Sequence, residues 1–290
     1  MIKSWLLAFR LKTLTAALVP ILVATALVRF EGYDLNYILS VWAVLSATFI
    51  QIATNLFNDA IDFTKGADTE TRTGPKRVTQ SGLITSKTVF IAGSLCCLLA
   101  ALCGVPLVIQ GGYPILVLGL VSITMGYLYT GGPFPLAYKG LGDLFVILFF
   151  GLAAVCGTYF IHTGLVSTSS VIAGLQVGFL STVLITINNL RDSKEDVKVN
   201  KLTLAVRFGL TFSRIEILCL YLFTFLLLAY WYFKGAYPAI YLSLITLPLA
   251  LILIKNIWSN EPSSVYNKYL AKAALIHLLF GVLFSVGLLI

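Results

Sequence analysis

Apolar runs long enough to cross a bilayer recur along almost the whole 290-residue chain, and they constrain the fold more than any other feature. Breaking the sequence at charges, Gly/Pro clusters and polar stretches leaves nine of them, at roughly 14–30, 37–57, 88–109, 114–130, 141–162, 170–190, 212–233, 237–255 and 271–290. Inside lipid the backbone has no water to bond, so a spanning segment is a helix or a strand of a closed barrel. Runs of about 17–23 residues without period-2 alternation fit helices. Composition agrees: 11% of residues are charged and the mean hydropathy is +0.94, where a soluble domain carries about a quarter charged residues. The expected fold class is an all-α membrane protein of about nine transmembrane helices, forming one domain over 1–290 with no soluble appendage. The links "QGGYP" and "KGAYP" are short enough to make the runs they join antiparallel neighbours.

Lysine and arginine set the expected orientation. With the N-terminus on one side, 18 of the 20 fall on that side, leaving only Arg29 and Lys234 on the other. The positive-inside rule makes the N-terminal side cytoplasmic, in an inner-membrane protein. The net charge of +8 is therefore read as a topology signal, not as nucleic-acid binding. The five cysteines lie inside apolar runs without metal-ligand spacing and read as small buried hydrophobes. His162 and His277 are unclustered, and neither is given a catalytic role.

Against this background two polar segments stand out, near 58–87 and 191–211, both expected as cytoplasmic loops. "NLFNDAIDFTKGADTETRTGPKR" and "NNLRDSKEDVKVNKLTLAVRFG" hold seven of the twelve acidic residues. Their layout repeats: Asn55 precedes Asp59 by four residues and Asn188 precedes Asp192 by four, with Asp62 and Asp196 close behind. On a helix these spacings bring each set to one face. Like charges one turn apart repel unless a cation sits between them. Hard oxygen ligands suit Mg²⁺, which is usually held by one or two carboxylates with substrate phosphate completing its shell. The basic residues alongside supply anion binding, Arg as a fork and Lys as a point charge. The expected metal ligands are Asn55, Asp59, Asp62, Asn188, Asp192 and Asp196. Arg72, Arg77, Arg191, Lys201 and Arg207 are the expected contacts to a diphosphate.

"MGYLYTGGPFPLAYKG" adds Tyr129 and Tyr138, π-faces able to shield a cation, together with Lys139 and, just beyond, Asp143. An ionisable residue at a membrane span is a functional candidate by default. Lys139 could hold diphosphate or an acceptor's carboxylate. Asp143 could orient the acceptor or pair with Lys139 across one helical turn.

At these motifs the sequence resembles the UbiA superfamily of intramembrane prenyltransferases, which carries Asp-rich motifs after its second and sixth helices. "NLFNDAIDFTKGADT", "SGLIT", "YTGGPFPLAYKGLGD" and "NNLRDSKEDVKVNKLTLAVRFG" look like the branch acting on 1,4-dihydroxy-2-naphthoate in menaquinone synthesis. The resemblance covers nearly the whole chain. One departure is Leu11 in "RLKT", where the first-helix motif usually has proline. The resemblance implies nine helices around a central cavity and Mg²⁺-aided transfer of a polyprenyl group from its diphosphate to an aromatic acid, with loss of CO₂ in the naphthoate branch. Asp59, Asp62, Asp192, Asp196 and Lys139 would be its catalytic set. 4-Hydroxybenzoate is the alternative acceptor. A transporter would instead place its charges near the bilayer midplane, and a CDP-alcohol phosphotransferase would keep its acids in one continuous motif.

Overall fold

A computed structural model describes residues 2–67 and 73–290, apart from the Lys12 side chain. Among them every regular element is helical: α1 Ile2–Phe9, α2 Thr15–Phe30, α3 Tyr37–Thr64, α4 Ser86–Leu128, α5 Gly142–Val146, α6 Ala154–Thr163, α7 Thr168–Lys198, α8 Leu204–Leu226, α9 Leu228–Phe233, α10 Tyr237–Leu244, α11 Leu247–Ser259 and α12 Tyr266–Leu289. The π-helical stretch Ile147–Ala153 joins α5 to α6. Short side chains start the long helices by capping their first free N–H groups: Asn36 for α3, Thr85 for α4, Ser167 for α7 and Thr203 for α8.

Seven helical units of this set are long and apolar enough to cross a bilayer, with α5–α6, α8–α9 and α10–α11 each counting as one. The chain is an integral membrane protein. Two of the nine expected runs fall inside α4, which breaks at Gly112 (φ 67°, ψ −153°), a conformation open only to glycine. The arm before Gly112 places Gly104 by Ser46 and Gly93 by Leu56 and Phe57, whereas in the arm after it Gly126 meets Ile50 and Thr54. The two arms therefore run in opposite directions along α3, as a hairpin. A third expected run is α2, only 16 residues and about 24 Å long.

Both segments expected as loops begin as helix. α3 continues to Thr64 and α7 to Lys198, so both acidic motifs ride on helix ends. Leaving the apolar run does not end a helix when its side chains find partners, and here they do. α7 is the most enclosed of the spans. It anchors a core with Val155, Tyr159, Ile217, Trp231 and Phe280 from the elements around it. Gly151 of the π stretch lies so close to α7 that an added Cβ would come within 2.4 Å of the Gly174 carbonyl oxygen. Far from the motifs the bundle is tied by the Tyr159 hydroxyl donating to Glu31 and by an edge contact between the Tyr33 and Tyr159 rings.

Candidate active site

At the motif end of the bundle a polar cavity of about 180 Å³ adjoins an apolar chamber of about 500 Å³. Gln51, Thr54, Tyr129 and Phe150 line both, and so mark the boundary. The chamber runs between α3, the two arms of α4 and the π stretch, past Ala47, Val108, Leu118 and Phe149 to Ile21, Ala43 and Ile161. The π turn sets Phe145 and Phe149 in stacked contact, 4.5 Å apart, on its wall.

Gln51, Asn55, Asn58 and Asp62 form the α3 wall of the polar cavity. Their spacing of four, three and four residues is a single helical stripe. Asn58 was not among the expected ligands, although this stripe was the signal that could have found it. Asp62 accepts from the Tyr138 hydroxyl at 2.8 Å and lies 3.5 Å from the Arg77 guanidinium, which also lines the cavity. Asn55 donates to the Phe9 carbonyl and the Thr13 hydroxyl, tying α3 to the turn Leu11–Thr13. Arg10, at a left-handed φ of 52°, faces the cavity despite the departure at Leu11.

Asp59 is bonded within the protein. Its carboxylate accepts the backbone N–H groups of Val78 and Thr79, each at 3.2 Å, and the Thr79 hydroxyl. It is buried outside the cavity lining and holds the 73–79 segment down as a strap. The other end of that strap meets the second motif. Thr73 donates from its N–H and its hydroxyl to Glu195 at 2.9 and 2.8 Å, and Asn267 of α12 donates to the Thr73 carbonyl.

On α7, Asn188 and Asn189 line the cavity. Asp192 receives both prongs of the neighbouring Arg191 at 2.7 Å, while Arg191 also donates to Asn188 and Asn267. Arg191 is thus a buried clamp, away from the cavity lining. Asp196, outside the cavity lining, pairs with Lys201 at 3.3 Å, and its second carboxylate oxygen is buried with no hydrogen-bond partner among the described residues. Lys201 lines the cavity. Tyr138 joins the two motifs: its hydroxyl meets Asp62, and its carbonyl accepts from Leu202.

Other expected residues divide. Asp143 lines the cavity and accepts from Thr186 at 3.1 Å, and Tyr129 stands at the boundary. Lys139 is exposed over the Phe134 ring, and Arg207 is exposed with its Nε donating to the Leu202 carbonyl; neither lines the cavity. Lys139 and Asp143 do not share a helix, because Gly140 at φ 71° ends the 3-10 turn before α5 begins. Arg72, with Asp68 and Glu70, lies outside the described residues. Lys65, inside the first motif but not among the expected contacts, donates to the Thr130 carbonyl at 2.7 Å and lies over the Tyr138 ring. Burial lowers its pKa from the usual lysine value, with Asp62 opposing.

Among the described residues no three Asp, Glu, His or Cys side chains converge into a ready metal cage. Mg²⁺ does not need one, since it takes one or two carboxylates and completes its shell from phosphate and water. The unbonded oxygen of Asp196 and the cavity-facing Asp62 fit that donor set.

These features define a class: a membrane-embedded helical protein whose Arg- and Lys-lined polar cavity adjoins a greasy chamber. The UbiA prenyltransferase family model matches residues 17–280, and the chain belongs to that family. It is a prenyltransferase. A 1,4-dihydroxy-2-naphthoate octaprenyltransferase from Haemophilus influenzae is 33% identical, over all of this chain and 96% of that one. A protein of the same name from Bacillus subtilis is 30% identical, over 96% of this chain and 89% of the relative. Among solved structures, a UbiA homolog from Archaeoglobus fulgidus bound to GPP and Mg²⁺ superposes with a TM-score of 0.68 at 17% identity, over 99% of both chains.

Proposed function

We propose that this chain transfers a polyprenyl group from its diphosphate to 1,4-dihydroxy-2-naphthoate, releasing diphosphate and CO₂ and giving the demethylmenaquinone skeleton. The observation that carries the reading is the junction of polar cavity and apolar chamber at Tyr129, in a chain 33% identical to an enzyme of that name. The prenyl tail lies in the chamber and the diphosphate in the cavity. The whole chain, 1–290, acts as one domain. By its Lys/Arg distribution the motif end faces the cytoplasm, in the inner membrane.

The diphosphate oxygens are bound by Lys201, Arg77 and Arg10, which line the cavity from three separate segments. Arg72 is a further contact in this proposal. Asp62 and Asp196 are the groups that would hold Mg²⁺, with Asn55, Asn58 and Asn188 able to join only by turning their amide oxygens from Gln51, Thr130 and Arg191. Bound there, the ion supplies neutralisation of the charge that grows on the departing diphosphate. Asp59, Asp192 and Arg191 act through position, by keeping the strap and the end of α7 in place. Tyr129 and the stacked Phe145 and Phe149 present π-faces to the allylic carbon and exclude water while its C–O bond breaks. The new bond forms at the ring carbon bearing the carboxylate. The carboxylate then leaves as CO₂ and its electron pair returns to the ring, so no net proton is exchanged.

The test is turnover of the detergent-purified protein with a polyprenyl diphosphate and MgCl₂, offered 1,4-dihydroxy-2-naphthoate or 4-hydroxybenzoate. The expected result is prenylated naphthol with one CO₂ per turnover, and none after EDTA. Preference for hydroxybenzoate overturns the acceptor. Undiminished activity under full chelation overturns the metal.

A further inference from the structure

One wall of the polar cavity carries none of the cations assigned above to the diphosphate, Arg10, Arg77 and Lys201. Ser181 lines it on α7, two turns before Asn188 and about 10 Å deeper along the helix axis. Asp143 shares that wall, with its carboxylate bonded to Thr186, and the Thr182 hydroxyl reaches the Asp143 carbonyl at 3.5 Å. Behind Ser181 stands His277 of α12, fully buried, with Nε2 3.3 Å from the serine oxygen. Leu270, two turns earlier on α12, lines the same cavity, so His277 lies on the helix face turned toward it.

Imidazole is expensive to bury on the helix face it shares with the core residues Ala273 and Phe280 unless it makes its hydrogen bonds. Here Nδ1 has no partner among the described residues. A neutral ring carries one N–H. Were it on Nδ1, a donor would be stranded in an apolar core, the rarer and costlier defect. With the proton on Nε2, the ring donates to Ser181 and only a lone pair is left over. The Ser181 oxygen then accepts from behind, and its own O–H is free to point into the cavity. The wall thus offers one donor, Ser181, beside one acceptor, Asp143. An aromatic ring with a hydroxyl next to a carboxylate presents the complementary pair.

We propose that Ser181 and Asp143 orient the aromatic acid, Ser181 donating to its carboxylate and Asp143 accepting from the adjacent hydroxyl, with His277 a positioning residue that fixes the direction of the serine proton. The proposal rests on the prenyl-transfer reading above and adds the residues that hold its acceptor.

Steady-state kinetics with each substrate varied in turn test it. Ser181→Ala and His277→Leu should each raise KM for the naphthoate at least tenfold while KM for the polyprenyl diphosphate stays within twofold. His277→Gln, whose amide N–H can replace Nε2–H, should recover most of the loss. Ser181→Cys, similar in size but a weak donor, should behave like the alanine variant and stands in for it if that variant does not fold. Both KM values rising together, His277→Gln as impaired as His277→Leu, or unchanged acceptor KM in all variants would overturn the subsite. Wild-type enzyme that prefers a different hydroxy acid breaks the acceptor assignment alone, and the same KM split measured with that acid still decides the subsite.

Discussion

At the end of α3, Asp59 is spent on Val78 and Thr79, and Asp62, nearly one turn on, turns to the cavity. At the end of α7, Asp192 is clamped by Arg191, and Asp196, one turn on, meets Lys201 and keeps one oxygen unbonded. In each motif the first acid is saturated by the protein itself, and the second is the one we propose for ligand. The two differ in what the first acid holds. Asp59 grips neutral backbone N–H groups of a strap, so its loss strands donors. Asp192 neutralises a buried guanidinium, so loss of either partner strands a charge, a costlier fault.

That contrast can be broken by mutation. Arg191→Ala should have the largest effect, since it leaves Asp192 buried without its cation and frees Asn188 and Asn267. A loss of about 3–5 kcal/mol of stability is expected, read from thermal unfolding in detergent. Asp62→Asn and Asp196→Asn should lower turnover by roughly 10²–10³, well beyond what their weakened pairs with Arg77 and Lys201 take from the folded fraction. Near-normal rates in both would move the ligand role back to Asp59 and Asp192. Asp59→Asn keeps one acceptor oxygen for three donors, so about 1–3 kcal/mol of stability should go. Its residual turnover should follow the folded fraction; a much steeper fall would make Asp59 a ligand after all. Tyr138→Phe removes one neutral donor from Asp62, a change of about 1 kcal/mol, measured as a several-fold drop in kcat/KM. Lys139→Ala and Arg207→Ala should sit at the bottom of the series, within twofold of wild type, because both side chains point away from the cavity.

Much of this was legible in the sequence. Helical membrane class follows from run length and missing charge, because lipid permits few other backbones. The α4 hairpin was marked by "QGGYP", and the importance of both motifs by the repeated Asn–Asp spacing. Roles within the motifs depend on more than spacing. Spacing puts Asn55, Asp59 and Asp62 on one broad face, yet the stripe that meets the cavity is Gln51, Asn55, Asn58 and Asp62. The choice between them depends on where Val78 and Thr79 land, and those residues lie some twenty positions away. His277 carried no signal at all, since its meaning comes from Ser181 across 96 residues.

What the chain dictated alone is its periodicity and its charge: which segments enter lipid, which helix ends are acidic, and where cations gather. These are local properties, fixed by the solvent each segment can tolerate. Which acid is occupied by the protein itself, and which keeps an oxygen for a ligand, was decided only by tertiary structure. A carboxylate is saturated by whatever donors arrive in space, and here they come from the 73–79 strap, from Arg191 and from the turn at Tyr138.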